Sequence, residues 1–218
     1  MKPDQESLPL LQRLHERVFA DPDVRAVLDA GFAQLAEELG TWAEPPHATC
    51  TVPIELFTGV AQYRITAAGE DPVAGGHDQI RLCRLFLLRR GARMAVPERH
   101  RNSVQRLVSY RGSGSICQGV PGGDPEGLKA RAIRSPGAKG PARNDVSSAG
   151  SSDLACHWDI VPAGVWHFPE ADGAADWATV TFHSAAEGEI VDEYLGRATS
   201  LSSTGNPEEE EGSDEATN

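Results

Sequence analysis

The sequence predicts a mainly β protein, a sandwich or barrel of short strands preceded by two α-helices and followed by a polar tail. Three observations predict it. The first 40 residues carry apolar side chains at helical spacing, whereas from about Thr49 short β-prone runs are broken by Gly, Pro and Asp. Many such runs with regular turn signals indicate a sandwich or barrel. With 39% hydrophobic residues in a chain of 218, there is apolar material for one domain core.

Taken in order, Leu8, Leu11, Leu14 and Val18 recur at helical spacing, with Glu16 and Arg17 outside. Asp21-Pro22 then reads as a cap followed by proline at the first helical position. Val24, Val27, Leu28, Phe32, Leu35 and Leu39 form a second stripe, which Gly40 would end as a C-cap. This helical extension, residues 1–47, reads as a packing element or a homodimer surface. The β unit follows over 48–196, with strands expected at 49–57, 60–66, 79–90, 93–96, 103–111, 114–118, 155–161 and 177–183. Residues 80–88 are apolar on both parities and read as an inner strand. Residues 119–152 hold seven glycines and four prolines without an aromatic residue, and read as a flexible insertion, either disordered or a lid. Residues 197–218 read as a disordered acidic tail.

Charge narrows the function classes. Lys and Arg number 20 against 32 Asp and Glu, a net charge of −12, and six of the acids lie in the tail. No basic excess supports nucleic-acid binding. No apolar run approaches the roughly 18–20 residues that span a bilayer, and the first residues are too polar for a signal peptide. Cys50, Cys83, Cys117 and Cys156 lack CxxC spacing and read as reduced thiols of a cytoplasmic protein. GxSxG, P-loop, GxGxxG and zinc-finger spacings are absent from the sequence, and Arg111-Gly112-Ser113-Gly114 reads as a hairpin turn.

Two stretches carry chemistry. In a strand, His100 and Asn102 point the same way. A turn at Pro162-Ala163-Gly164 followed by His167 can bring a second imidazole to the same place. Two histidines with oxygen donors inside a barrel suit a divalent first-row metal. At these residues the chain resembles the cupin superfamily, whose motifs are, in outline, HxH-x(3–4)-E-x6-G and G-x5-PxGxxH-x3-N. Pro162, Gly164 and His167 match PxGxxH, with Cys156 and Ala171 where the flanking Gly and Asn stand in the family. In the first motif His100 takes the first ligand position, Asn102 the second histidine's, Gln105 the glutamate's, and Gly112 the turn glycine's. The spacer before Gln105 is then one residue short.

The resemblance spans about residues 78–195 and implies a double-stranded β-helix, or jelly roll. It further implies an interior metal held by three histidines and a glutamate in the standard case, and here by His100, Asn102, Gln105 and His167. Fe(II) is the first expectation, with Ni, Mn or Zn as alternatives, or no metal if the motif has lost it. Amide oxygens are weak ligands, so such a metal would keep its full charge and favour an anionic substrate.

Substrate contacts are expected from Arg106, Trp166, Trp177, Thr179 and His183. Arg106 shares parity with His100 and would point inward unless a bulge reverses it. Glu98 shares it too and is a substitute for the missing carboxylate, although a surface role is favoured. A hairpin centred near Asp172-Gly173 would put His183 about 13 Å beyond His167's partner, so His183 reads as a pocket wall or structural residue. Trp158, Trp166 and Trp177 would gather around His167 as packing or as an aromatic pocket, and Arg99, Arg101, Arg106 and Arg111 would make that pocket cationic. Three functions stay open. One is a metal-dependent enzyme, an oxidoreductase of dioxygenase type or an isomerase, acting on a small anionic or aromatic-carboxylate metabolite. The second is a metal-free small-molecule sensor, and the third a structural or interaction protein dimerised through its helices.

Overall fold

A computed structural model describes residues 1–41, 44–60, 79–137, 154–196 and 200–201. Two helices open the chain, α1 (Leu8–Ala20) and α2 (Pro22–Thr41). Asp21 caps α2 as expected, its carboxylate accepting from the amides of Asp23 and Val24 at 3.0 and 3.2 Å. Gly40 does not end α2, which runs on to Thr41.

The strands are β1 (His47–Val52), β2 (Leu82–Leu88), β3 (Glu98–His100), β4 (Gln105–Arg111), β5 (Ser113–Gln118), β6 (Lys129–Arg134), β7 (Trp158–Val161), β8 (His167–Ala171), β9 (Trp177–His183), β10 (Val191–Tyr194) and β11 (Ser200–Leu201). They form two antiparallel sheets, ordered β1-β2-β9-β4-β7 and β11-β10-β3-β8-β5-β6. This is a jelly-roll sandwich with helices on one side, a mainly β architecture of the expected class. A single turn of helix, α3 (Leu154–His157), leads into β7.

The outer face of the five-stranded sheet is closed by the helices. Leu11, Leu14, Leu28 and Leu35 meet Leu85, Val108, Val180 and Phe182 in one buried cluster. The stripe expected on α1 and α2 is thus covered by the chain's own sheet, except for Val27, which is exposed. Residues 80–88 do form an inner strand: Cys83, Leu85 and Leu87 face the helices, whereas Leu82, Arg84, Phe86 and Leu88 face the interior between the sheets. A second cluster of Leu88, Leu107, Ile116, Ile133 and Trp177 fills one end of that interior.

Several expected elements differ. Residues 93–96 contribute one bridge, Arg93 to Glu170, rather than a strand. Within 119–152, Lys129–Arg134 form β6, which pairs along the whole of β5. Its Arg131 reaches the buried Asp159 of β7 at 2.8 Å, an anchor that glycine and proline counts do not reveal. Residues 138–152 and 61–66 lie outside the described residues, as does the tail apart from Ser200 and Leu201, whose backbone pairs with β10. Gly112 joins two sheets rather than a hairpin, because β4 and β5 do not pair. Its φ is +75°, and a Cβ there would stand 2.6 Å from the carbonyl of Asp176, so only glycine fits the crossing.

Candidate metal centre

At the end of the interior opposite the Trp177 cluster, β3, β8 and β10 lie side by side. The backbone sets this up through the Pro162–Gly164 turn, where Gly164 (φ +74°) donates its amide to the carbonyl of His100 at 2.8 Å. That contact docks the turn on β3 and delivers His167 beside Glu98, its partner in the ladder. On the other flank Asp192 pairs with His100 and Tyr194 with Glu98.

The side chains converge on one point. Glu98, His100 and His167 each offer a ligand atom, and these atoms lie within 4.8 Å of one another. His100 Nδ1 meets Asp192 Oδ1 at 2.6 Å, and His167 Nδ1 meets the carbonyl of Val165 at 3.1 Å. Each contact fixes the Nδ1 proton and leaves Nε2 as a lone pair, the arrangement in which a second shell prepares metal-binding imidazoles. Both Nε2 atoms are buried without a hydrogen-bond partner. The nearest Glu98 oxygen is 3.6 Å from His167 Nε2, beyond a hydrogen bond. Two imidazoles and a carboxylate, with orphaned nitrogens aimed at a common point, fit a divalent ion.

Electrostatics agree. Burial drives the pKa of His167 down to about 3, helped by the neighbouring His100, so His167 is a neutral donor. Burial also acts to lower that of His100, but the hydrogen bond to Asp192 and the charges of Glu98 and Asp192 outweigh it and the net shift is upward. For Glu98, burial raises the pKa against the opposing pull of His100.

The expected site residues divide. His100 and His167 are brought together. Asn102 is not in the site: its amide donates to the carbonyl of Glu189 at 2.8 Å and accepts from the amide of Val191 at 2.9 Å, so both ends clamp a turn. Gln105 opens β4 on the opposite sheet, with its Oε1 buried and unpartnered. Arg106 faces the helix side, because its ladder partners Phe182 and Ile160 do. Parity fails between His100 and Arg106 because the chain passes from one sheet to the other at 101–104, which acts as the reversal a bulge would produce.

Other expectations fail for related reasons. His183 lies within a 5.0 Å ring-to-ring distance of His100. The hairpin that put it far away does not exist, since β8 and β9 belong to different sheets that face each other. Trp177 and Thr179 lie on the His183 face of β9 but six and four residues along it, about 20 and 13 Å away. The tryptophans do not gather: Trp158 packs toward the helices, Trp177 fills the far end, and Trp166 stacks under Arg99 at 4.6 Å. The four arginines do not line the site either. Arg99 and Arg101 lie toward Glu193, Arg111 toward Asp29, and Arg106 is behind the sheet. Arg84 of β2, which the sequence reading passed over, acts on the charges of Glu98, His100 and His183.

Glu98 had a signal in the sequence. Moving the first motif two residues back puts Glu98 and His100 in the two histidine positions, leaves four residues before Gln105, and keeps six before Gly112. The short spacer then disappears. The carboxylate has moved to the start of the motif, and the argument for a metal without a protein carboxylate falls.

The fold is an antiparallel jelly-roll sandwich, and Glu98, His100 and His167, a group that could hold a metal ion, meet in its interior. Neither a family model nor a curated protein sequence matches this chain. Solved structures do match in fold. The chain is similar to salicylate 1,2-dioxygenase from Pseudoaminobacter salicylatoxidans in complex with gentisate, at 13% identity and a TM-score of 0.43 over 79% of this chain and 35% of that one. It is also similar to an oxalate oxidase in complex with the substrate analogue glycolate (12%, TM-score 0.42, 68% of this chain and 56% of that one). A third is vicilin from Corylus avellana (14%, TM-score 0.35, 52% and 25%). The chain thus spans between a quarter and just over half of the length of these proteins. Among the described residues no helix is long and apolar enough to cross a membrane.

Proposed function

We propose that this protein is a cupin-type metal-dependent enzyme acting on a small anionic metabolite, of the oxygenase or isomerase kind. Glu98, His100 and His167 hold a divalent first-row ion, Fe(II) foremost. The observation that carries the reading is the convergence of these three donors within 4.8 Å, with both imidazole Nε2 atoms buried and unpartnered. A bound ion of this kind supplies Lewis acidity to a substrate oxygen.

The chain's residues do the rest. Asp192 holds the His100 ring by its Nδ1 and makes Nε2 a stronger donor. The Val165 carbonyl fixes the tautomer of His167. The Glu98 and Asp192 carboxylates would balance a doubly charged ion, and the Arg84 guanidinium, paired with Glu187 at 3.6 Å, acts on the same charges from β2 and offers an anionic ligand a cationic neighbour.

Elemental analysis of protein purified without chelators tests the reading. Near-stoichiometric iron, nickel, manganese or zinc is expected, and it should be lost in the His100→Ala, His167→Ala double variant. Wild-type protein that stays metal-free after reconstitution overturns the enzyme reading in favour of a metal-free binding protein.

A further inference from the structure

Across the interior from the triad stand two polar side chains, each with a buried atom that has no hydrogen-bond partner. His183 ends β9 and Gln105 begins β4, and they are direct partners in the ladder. His183 is 1% exposed, and its Nδ1 has no hydrogen-bond partner. The same holds for Gln105 Oε1, also buried. The backbone around them is pinned. The carbonyl of His183 accepts from Arg81 N at 2.8 Å, and Ser184 and Val104 exchange hydrogen bonds at 3.0 and 2.8 Å. The backbone is thus held in place while both side chains keep unmet hydrogen-bonding capacity, which folding alone disfavours.

Their chemistry restricts what they bind. An amide oxygen only accepts, whereas an imidazole nitrogen donates or accepts according to tautomer. With the amide as it stands, Oε1 inward, a carboxylate oxygen would face Gln105 acceptor to acceptor. An ammonium group would meet Arg84 and the metal. A hydroxyl satisfies both, donating to Gln105 Oε1 and accepting from His183 Nδ1–H. We infer that His183 and Gln105 form a subsite for a substrate hydroxyl, facing the metal centre, so that the substrate is a small hydroxy acid whose neighbouring oxygen binds the ion. This rests on the metal reading above.

The test uses the full chain loaded with cobalt(II), with lactate and propionate as probes that differ only in the hydroxyl. Calorimetry should find lactate bound at least about tenfold more tightly than propionate. Gln105→Met and His183→Phe should each remove that preference while retaining cobalt. Metal-free, both variants should melt no lower than wild type, since each replaces an orphaned polar atom by an apolar one.

Equal binding of the two acids by the wild type overturns the subsite. Loss of cobalt from the variants overturns it too, because it makes these residues ligands, and lower melting of both metal-free variants makes them structural. A wild type that takes up no cobalt overturns the metal reading. The subsite, which needs the ion to hold the neighbouring oxygen, falls with it.

Discussion

The two ends of the barrel interior share strands β4, β5 and β9 but are built to opposite specifications. At one end Trp177 is fully buried among Leu88, Leu107, Ile116 and Ile133, and its indole N–H donates to Ser109 Oγ at 2.9 Å. Ser109 in turn donates to the carbonyl of Gly112, so the polar groups of this end are spoken for. Gly114 leaves the room the indole needs, since a Cβ there would stand 2.3 Å from the ring. At the other end His100, His167, His183, Gln105 and Gln118 all carry buried polar atoms without partners. Along β9 the change takes seven residues, from Trp177 to His183. The first end is what a fold requires, and the second is what it must be made to tolerate; stability and ligand chemistry are therefore separable by mutation.

The largest expected effect breaks the first end only. Trp177→Ala removes a fully buried indole and should cost about 3–5 kcal/mol, read from denaturant unfolding. The metal bound per folded molecule should stay the same. Metal loss in proportion to stability loss would show that the two ends are not separate.

A smaller effect is expected at the second end. Asp192→Asn keeps the shape of the His100 contact but removes its charge, and should weaken metal affinity about tenfold, the lower part of the range for outer-shell partners. The pKa of His100 should also fall, because the Asp192 hydrogen bond and charge are among the forces raising it. NMR titration of the imidazole in metal-free protein reads this. A merely structural Asp192 would change the melting temperature and leave that titration in place.

The contrast between the ends also explains what was legible in the sequence. Strands such as β4, β5 and β9, and the turn bearing Gly164, are local features, since alternation and turn residues act over a few positions. His167 was recognisable because its placement depends on that turn. Glu98 was legible in part, through its parity with His100, but Arg84 and the nearness of His183 were not, because each depends on which sheet a strand joins. A parity argument carried from His100 to Arg106 fails at 101–104 where the chain changes sheets, and a hairpin argument from His167 to His183 fails because β8 and β9 face rather than pair. Gly and Pro in 119–152 masked β6, whose pairing with β5 is equally non-local in origin.

Asn102 provides the finest discrimination, because the two alignments of the first motif assign it opposite roles. With His100 as the first ligand, Asn102 is a metal ligand and its removal should lower affinity at least about tenfold, as loss of even an outer-shell partner does. In the structure both ends of its amide are taken by the backbone of Glu189 and Val191, which ties the 101–104 crossing to the segment leading into β10. Asn102→Ala should therefore cost about 1–2 kcal/mol of stability from two lost hydrogen bonds, with metal affinity measured at the native baseline unchanged. The opposite pattern, intact stability with weakened metal binding, would return Asn102 to the coordination sphere and displace Glu98 from it.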